Sequence, residues 1–121
     1  MRVLLIYTGI LSFLSLNPWL RQYSNPAIGY IDWDKIDHTI AYCILSFLLM
    51  SIYKYHKHPW MVSFMVLLIC SLAGILLEYC QLWFTSSRQF SYEDAGANVL
   101  GGVLGLALFW SYKFIAVKRA K

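Results

Sequence analysis

Long runs of apolar residues, separated by short polar stretches, dominate the sequence. Charged residues and prolines divide it into four such runs. We predict helices over residues 3–20, 36–53, 60–84 and 94–117. At about 1.5 Å of rise per residue, a run of roughly 20 residues crosses the roughly 30 Å hydrocarbon core of a bilayer. The pattern therefore predicts four membrane-spanning helices, of which the first is only just long enough.

The composition also indicates a membrane protein. Apolar residues make up 60% of the 121 residues and charged residues only 13%, which is too little charge for an ordinary soluble domain. We interpret residues 1–121 as one all-α domain, an integral membrane bundle in contact with the lipid bilayer. The net charge of +4 is scattered over the ends of the apolar runs, so it does not indicate nucleic-acid binding.

Lysine and arginine residues predict the orientation of the bundle. If the amino terminus is cytoplasmic, seven of these residues lie on the cytoplasmic side and three on the outer side. Cytoplasmic loops of membrane proteins carry such an excess. We therefore predict that both termini are cytoplasmic and that the chain is a multi-pass protein of the inner (plasma) membrane. The residues do not define an oligomeric state.

Polar residues enter three of the four segments at their predicted outer ends. They recur three or four positions apart within each segment, as Asp34, His38 and Tyr42, then Gly74, Glu78 and Gln81, then Asp94 and Asn98. Such spacing places each set on one face of its helix. Glu78 falls roughly 9 Å below the end of its segment, and an ionisable group exposed to lipid there costs several kcal/mol. We therefore expect Glu78 to face the inside of the bundle.

The start of the fourth segment carries two further signals. Ser91 is followed three positions later by Asp94, an arrangement that resembles a capping box. Asp94 alone is also a candidate N-cap. Further along, Gly101 and Gly105 are four positions apart, and small residues at this spacing allow a neighbouring membrane helix to approach closely.

Four sequence elements carry a family resemblance. They are DKIDHTIAY at 34–42, EYCQ at 78–81, Arg88, and DAGANVLG at 94–101. Together they resemble the VanZ-like membrane proteins, and the similarity extends over residues 33–105. The resemblance implies a protein of the cell envelope, and it links the chain to low-level resistance to glycopeptide antibiotics such as teicoplanin.

Three roles suit the polar residues. In the first, Lys35, Arg88 and protonated His38 bind the phosphate or carboxylate of an anionic lipid or a cell-wall precursor. In the second, a membrane-embedded enzyme acts on a lipid-linked or phosphorylated substrate. Its candidate catalytic groups are His38, Glu78 and Asp94, with His38 oriented by a neighbouring carboxylate of Asp34 or Glu78. In the third, the residues only pair and cap helices, and the chain is a structural or assembly factor.

The binding hypothesis assigns eight residues to one outward-facing polar pocket. They are Asp34, Lys35, His38, Glu78, Gln81, Arg88, Asp94 and Asn98. The single imidazole and the carboxylates of this set suit Mg²⁺ or Mn²⁺ better than structural zinc. No HExxH, GxSxG or CxxC motif is present, so the signal for catalysis is weak. We predict no resident metal or cofactor, with a divalent metal held by His38, Asp34, Glu78 and Asp94 as the minor alternative. The sequence leaves open whether the chain catalyses a reaction.

Overall fold

The computed structural model describes residues 2–16, 33–84 and 91–119. All regular secondary structure in these ranges is helical, which confirms the all-α prediction. The helices are α1 (Arg2–Leu16), α2 (Trp33–Ile52), α3 (Pro59–Phe84) and α4 (Tyr92–Arg119). Helix α2 begins three residues before its predicted start and α4 two residues before. The predicted end of the first helix, at residue 20, lies outside the described residues.

Three of these helices are long and apolar enough to span a membrane. The candidate spans are Lys35–Ile52, Pro59–Trp83 and Tyr92–Arg119. Helix α1 contributes only a shorter apolar stretch, Arg2–Phe13. Large apolar side chains on every helix point away from the bundle, as contact with lipid requires. A fourth span and the cytoplasmic position of the termini stay predictions.

Helices α2 and α4 form the most extensive packing in the described bundle. Gly101 and Gly105 lie on the face that α4 presents to α2. A Cβ atom added to Gly101 would overlap the carbonyl oxygen of Thr39, and one added to Gly105 would overlap that of Cys43. Because the obstructing atoms belong to the backbone of α2, rotating a side chain cannot relieve the overlap. The glycine spacing therefore marks the closest approach of two helices, as predicted.

The buried ionisable and amide side chains lie at one end of the bundle, and the apolar core lies towards the other. The apolar core fills the second half of α2, the first half of α3 and the later part of α4, and comprises Tyr42, Leu45, Leu49, Met50, Val66, Cys70 and Phe109. Near its far end, Trp60 stacks on Trp110 with ring centroids 4.7 Å apart. Lys113 lies over the same Trp110 ring. Aromatic and basic residues of this kind are typical of a membrane–water boundary.

Helix α1 packs against α2 and α3. The hydroxyl of Tyr7 donates a hydrogen bond to the carbonyl oxygen of Ala41, with an O···O distance of 2.6 Å. Leu11, one turn further along α1, is buried. Helix α1 thus lies against the pair formed by α2 and α3, outside the α2–α4 contact.

Candidate functional site

The start of α4 is fixed by Ser91. The backbone N–H of Asp94 donates a hydrogen bond to Ser91 Oγ at 3.2 Å, which is the contact of an N-cap residue with the third residue of a helix. The predicted Ser91 cap is therefore confirmed, and Asp94 is not the N-cap. Since α4 begins at Tyr92, Asp94 lies within the first turn and is only 7% exposed. Its carboxylate is held inside the bundle, close to the positive end of the helix dipole.

Glu78 lies inside the bundle near the end of α3. It is 3% exposed, while its neighbours Leu76 and Tyr79 face outwards. Gln81, almost one turn further along, is buried on the same face. The inward orientation predicted from the cost of exposing Glu78 to lipid is therefore confirmed.

His38 of α2 links the other two long helices. Its Nδ1 is 2.9 Å from Asn98 Oδ1 on α4. An amide oxygen only accepts hydrogen bonds, so the ring donates through Nδ1–H. Nε2 then faces α3, where it is 3.9 Å from Glu78 Oε1. This distance is too long for a hydrogen bond, and the pair attracts as an ion pair only when the ring is protonated.

Asn98 is the most enclosed of these polar residues. It is 1% exposed, and within the described part of the chain its Nδ2 has no hydrogen-bond partner. The amide fits against Gly74 of α3, where an added Cβ would lie 2.5 Å from Nδ2. The absence of a side chain at Gly74 therefore makes room for Asn98 between α3 and α4. Asn98 also orients His38, a role that the sequence analysis assigns to a carboxylate.

We call the set His38, Glu78, Asp94 and Asn98 the polar cluster. One ligand atom each from His38, Glu78 and Asp94 lies within 4.8 Å of the others, and all three residues are buried. Four of the eight predicted site residues thus meet here, and Gln81 lies beside them on α3. Tyr42, one turn along α2 from His38, is also buried, and among the described residues its hydroxyl has no partner.

Of the other three predicted site residues, the structure describes the side chain of Lys35 alone. Lys35 forms an ion pair with Glu93 of α4, and their side chains are 36% and 72% exposed. This pair marks the rim of the site. Arg88 and the side chain of Asp34 lie outside the described residues.

The contribution of small residues on α2 was missed from the sequence. Thr39 Oγ1 contacts the carbonyl oxygen of Ala97 at 3.4 Å, and Ser46 Oγ donates to that of Gly102 at 2.8 Å. Thr39 and Ser46 are seven positions apart, about two helical turns, so both lie on the face of α2 that meets α4. Small residues that recur on one helix face are the signal that predicts this contact.

Among the described residues, the polar cluster favours a cation over an anion. It brings two carboxylates and one imidazole together within candidate membrane-spanning segments, where negative charge is costly. An anionic ligand placed directly among them meets repulsion. The rim, with its Lys35 ammonium, is the favourable position for a negative group.

Comparison with known protein families matched the chain to VanZ/LLP1 over residues 4–116. The matched range includes all of α2 and α3, most of α1 and α4, and every residue of the polar cluster. Comparison with curated proteins found no match, and neither did comparison with solved structures. With its long apolar helices and a match over nearly its whole length, this chain belongs to the VanZ/LLP1 family of multi-pass membrane proteins.

Proposed function

We propose that the protein binds the anionic headgroup of a lipid or a cell-wall precursor at a polar pocket on the outer side of the membrane. One observation carries the proposal: buried polar groups from three helices converge at a single end of the bundle. Ionisable groups within membrane helices are costly to bury and are functional by default. Four membrane spans, cytoplasmic termini and an inner-membrane location are parts of the same proposal.

The rim of the site offers the cations that such a headgroup needs. Lys35 is paired with Glu93, and both side chains are accessible. An exposed ion pair of this kind contributes about 0–1 kcal/mol, so a phosphate can replace Glu93 as the partner of Lys35 at little cost. Arg88, which lies between α3 and α4 in the sequence, is the second cation of the proposal, because a guanidinium group suits bidentate contact with phosphate or carboxylate.

Ligand binding to the purified protein tests this proposal. Native mass spectrometry in detergent is used with phosphatidylglycerol, a polyprenyl phosphate, a D-alanyl-D-alanine peptide and zwitterionic phosphatidylcholine. We expect binding of an anionic ligand but not of phosphatidylcholine. Arg88→Ala and Lys35→Ala are each expected to weaken it by about tenfold, the effect of losing one charge-assisted hydrogen bond. Lys57→Ala, an exposed cation at the opposite end of the bundle, is the matched control.

The pattern of binding decides between the sources of the ligand. If the protein prefers a lipid phosphate, the ligand is a lipid or a lipid-linked molecule. If it prefers the peptide, the ligand is the carboxylate of a cell-wall precursor. Equal binding by wild type, Arg88→Ala and Lys57→Ala would contradict the proposal. If these substitutions change only the thermal stability of the protein, the polar residues serve a structural or assembly role.

The family association extends the proposal to glycopeptide resistance. A protein that binds or displaces a cell-wall precursor at the outer surface of the membrane alters the target that a glycopeptide recognises. Expression of the wild type in a susceptible host is expected to raise the inhibitory concentration of teicoplanin. Expression of the Arg88→Ala variant is expected to leave that concentration unchanged. Unchanged susceptibility with the wild type would exclude this physiological role and leave the binding proposal to the in vitro measurement.

A membrane-embedded enzyme is the second candidate, and one observation favours it. Asn98 Oδ1 is 2.9 Å from Nδ1 of the His38 ring. This contact directs the other ring nitrogen, Nε2, towards Glu78, and the arrangement suits a general acid or base. The enzyme hypothesis predicts that His38→Ala abolishes turnover of a lipid-linked or phosphorylated substrate while ligand binding persists. Binding without turnover in the wild type would contradict it.

A further inference from the structure

We propose that the polar cluster binds a divalent cation through His38, Glu78 and Asp94. These residues come from three different helices, and their ligand atoms lie within 4.8 Å of one another. Three ligands that surround one ion at about 2.1 Å each lie about 3.0–3.6 Å from one another. The 3.9 Å between His38 Nε2 and Glu78 Oε1 exceeds this range by only a few tenths of an ångström. Movements of about 1 Å by the side chains bring all three ligand atoms to these distances.

The orientation of His38 is an independent observation in favour of a metal. Its Nδ1–H group donates to Asn98 Oδ1 at 2.9 Å, so in the neutral ring the lone pair is on Nε2, on the side of the carboxylates. Histidine ligands of metals nearly always donate their other ring N–H to an oxygen in this way. The Asn98 amide is 1% exposed, and its Nδ2 has no partner in the described part of the chain. A water bound to the ion would supply the acceptor that this buried nitrogen lacks among the described residues.

Electrostatics and ligand type both indicate a hard or intermediate cation. A divalent ion neutralises the two carboxylates of Glu78 and Asp94, which lie inside membrane-spanning segments where negative charge is costly. Carboxylate oxygens suit Mg²⁺ and Mn²⁺, and the imidazole nitrogen shifts the preference towards Mn²⁺ and Zn²⁺. The cluster contains no thiolate, so it does not favour soft ions.

Such an ion also explains how an acidic cluster contributes to the binding of an anion. With three protein ligands, the ion keeps coordination positions for an oxygen of a phosphate or carboxylate headgroup. This consequence rests on the proposed function, whereas the metal site itself rests only on the geometry of the cluster.

Electron paramagnetic resonance of Mn²⁺ tests the site. The full chain, purified in detergent and stripped with chelator, is titrated with MnCl₂ in the absence of added lipid. We expect a single saturable Mn²⁺ site that Zn²⁺ displaces, and electron spin echo modulation from an imidazole nitrogen. Glu78→Gln and Asp94→Asn are each expected to weaken Mn²⁺ binding by at least about tenfold. His38→Gln is expected to remove the nitrogen modulation.

Matched controls lie directly beside two of the ligands. Asp37 precedes His38 and Glu93 precedes Asp94, and both carboxylates are exposed. Asp37→Asn and Glu93→Gln are expected to bind Mn²⁺ as the wild type does. Equal loss in these controls would show diffuse surface binding and overturn the site.

The wild-type spectrum keeps the test decisive even if a variant fails to fold. Mn²⁺ bound to the wild type without nitrogen modulation would overturn ligation by His38, and no saturable binding would overturn the site itself. Because loading is measured without lipid, failure here leaves the headgroup proposal intact. Conversely, a loaded site in a protein that binds no anionic ligand would refute only the proposed function.

Discussion

Alanine in place of Gly105 is expected to destabilise the bundle, whereas alanine in place of Gly96 on the same helix is expected to stabilise it slightly. Alanine favours the helix by up to about 1 kcal/mol over glycine at both positions. At Gly96 an added Cβ has nothing within 4 Å, so only this gain applies. At Gly105 the added Cβ would overlap the Cys43 carbonyl oxygen, and separating two packed helices costs about 1–3 kcal/mol.

Unfolding of the two variants in mixed detergent micelles measures the difference. We expect the unfolding free energy of Gly105→Ala to fall at least about 1–2 kcal/mol below that of Gly96→Ala, with a matching order of thermal midpoints. Gly101→Ala is expected to behave like Gly105→Ala because its Cβ would meet the Thr39 carbonyl. Equal stability of all three variants would mean that α2 and α4 do not approach as closely as described.

Asn98→Ala is expected to damage both the stability of the bundle and the polar cluster. The substitution removes the acceptor of the His38 Nδ1–H group, and a buried donor without a partner costs about 1–3 kcal/mol. It also leaves a cavity beside Gly74, where the amide is now packed. Released from Asn98, the His38 ring no longer presents Nε2 to the carboxylates. We therefore expect the unfolding free energy to fall by about 2–3 kcal/mol and Mn²⁺ affinity to fall by at least about tenfold.

Two controls separate these effects. Asn98→Asp keeps an acceptor oxygen for His38 and is expected to restore Mn²⁺ binding. Ser46→Ala removes a buried hydrogen bond to Gly102 away from the polar cluster, and is expected to lower stability by about 1 kcal/mol without changing Mn²⁺ affinity. Asn98 would have no positioning role if Asn98→Ala bound Mn²⁺ as the wild type does.

The features that depend on a single helix were predictable from the sequence. Long apolar runs locate α3 to within one residue at each end, because length and composition suffice. Helical spacing groups Glu78 with Gln81 and Asn98 with Asp94 on single faces, and the cost of exposing Glu78 to lipid turns its face inward. The Ser91 cap follows from a local pattern.

Features that depend on how helices fit together were not predictable in the same way. Helix α2 begins three residues before its predicted start. The prediction used the edge of the apolar run, and this edge does not show that a helix continues through charged residues outside the hydrocarbon layer. The hydrogen bond between His38 and Asn98 depends on the rotation and height of α2 relative to α4, which periodicity within one helix does not define. Gly74 acquires its role only because the Asn98 amide lies opposite it.

Solid-state nuclear magnetic resonance in lipid bilayers tests most directly whether three helices bring the polar cluster together. Dipolar recoupling is measured between ¹⁵N-labelled histidine rings and the ¹³C-labelled side-chain carbonyl and carboxyl carbons of asparagine and glutamate. We predict coupling from the His38 ring to both Asn98 and Glu78, consistent with N···O separations of 2.9 and 3.9 Å. The asparagine coupling is expected to disappear in Asn98→Ala. Absence of both couplings in the folded wild type would contradict the polar cluster, and with it the proposed site.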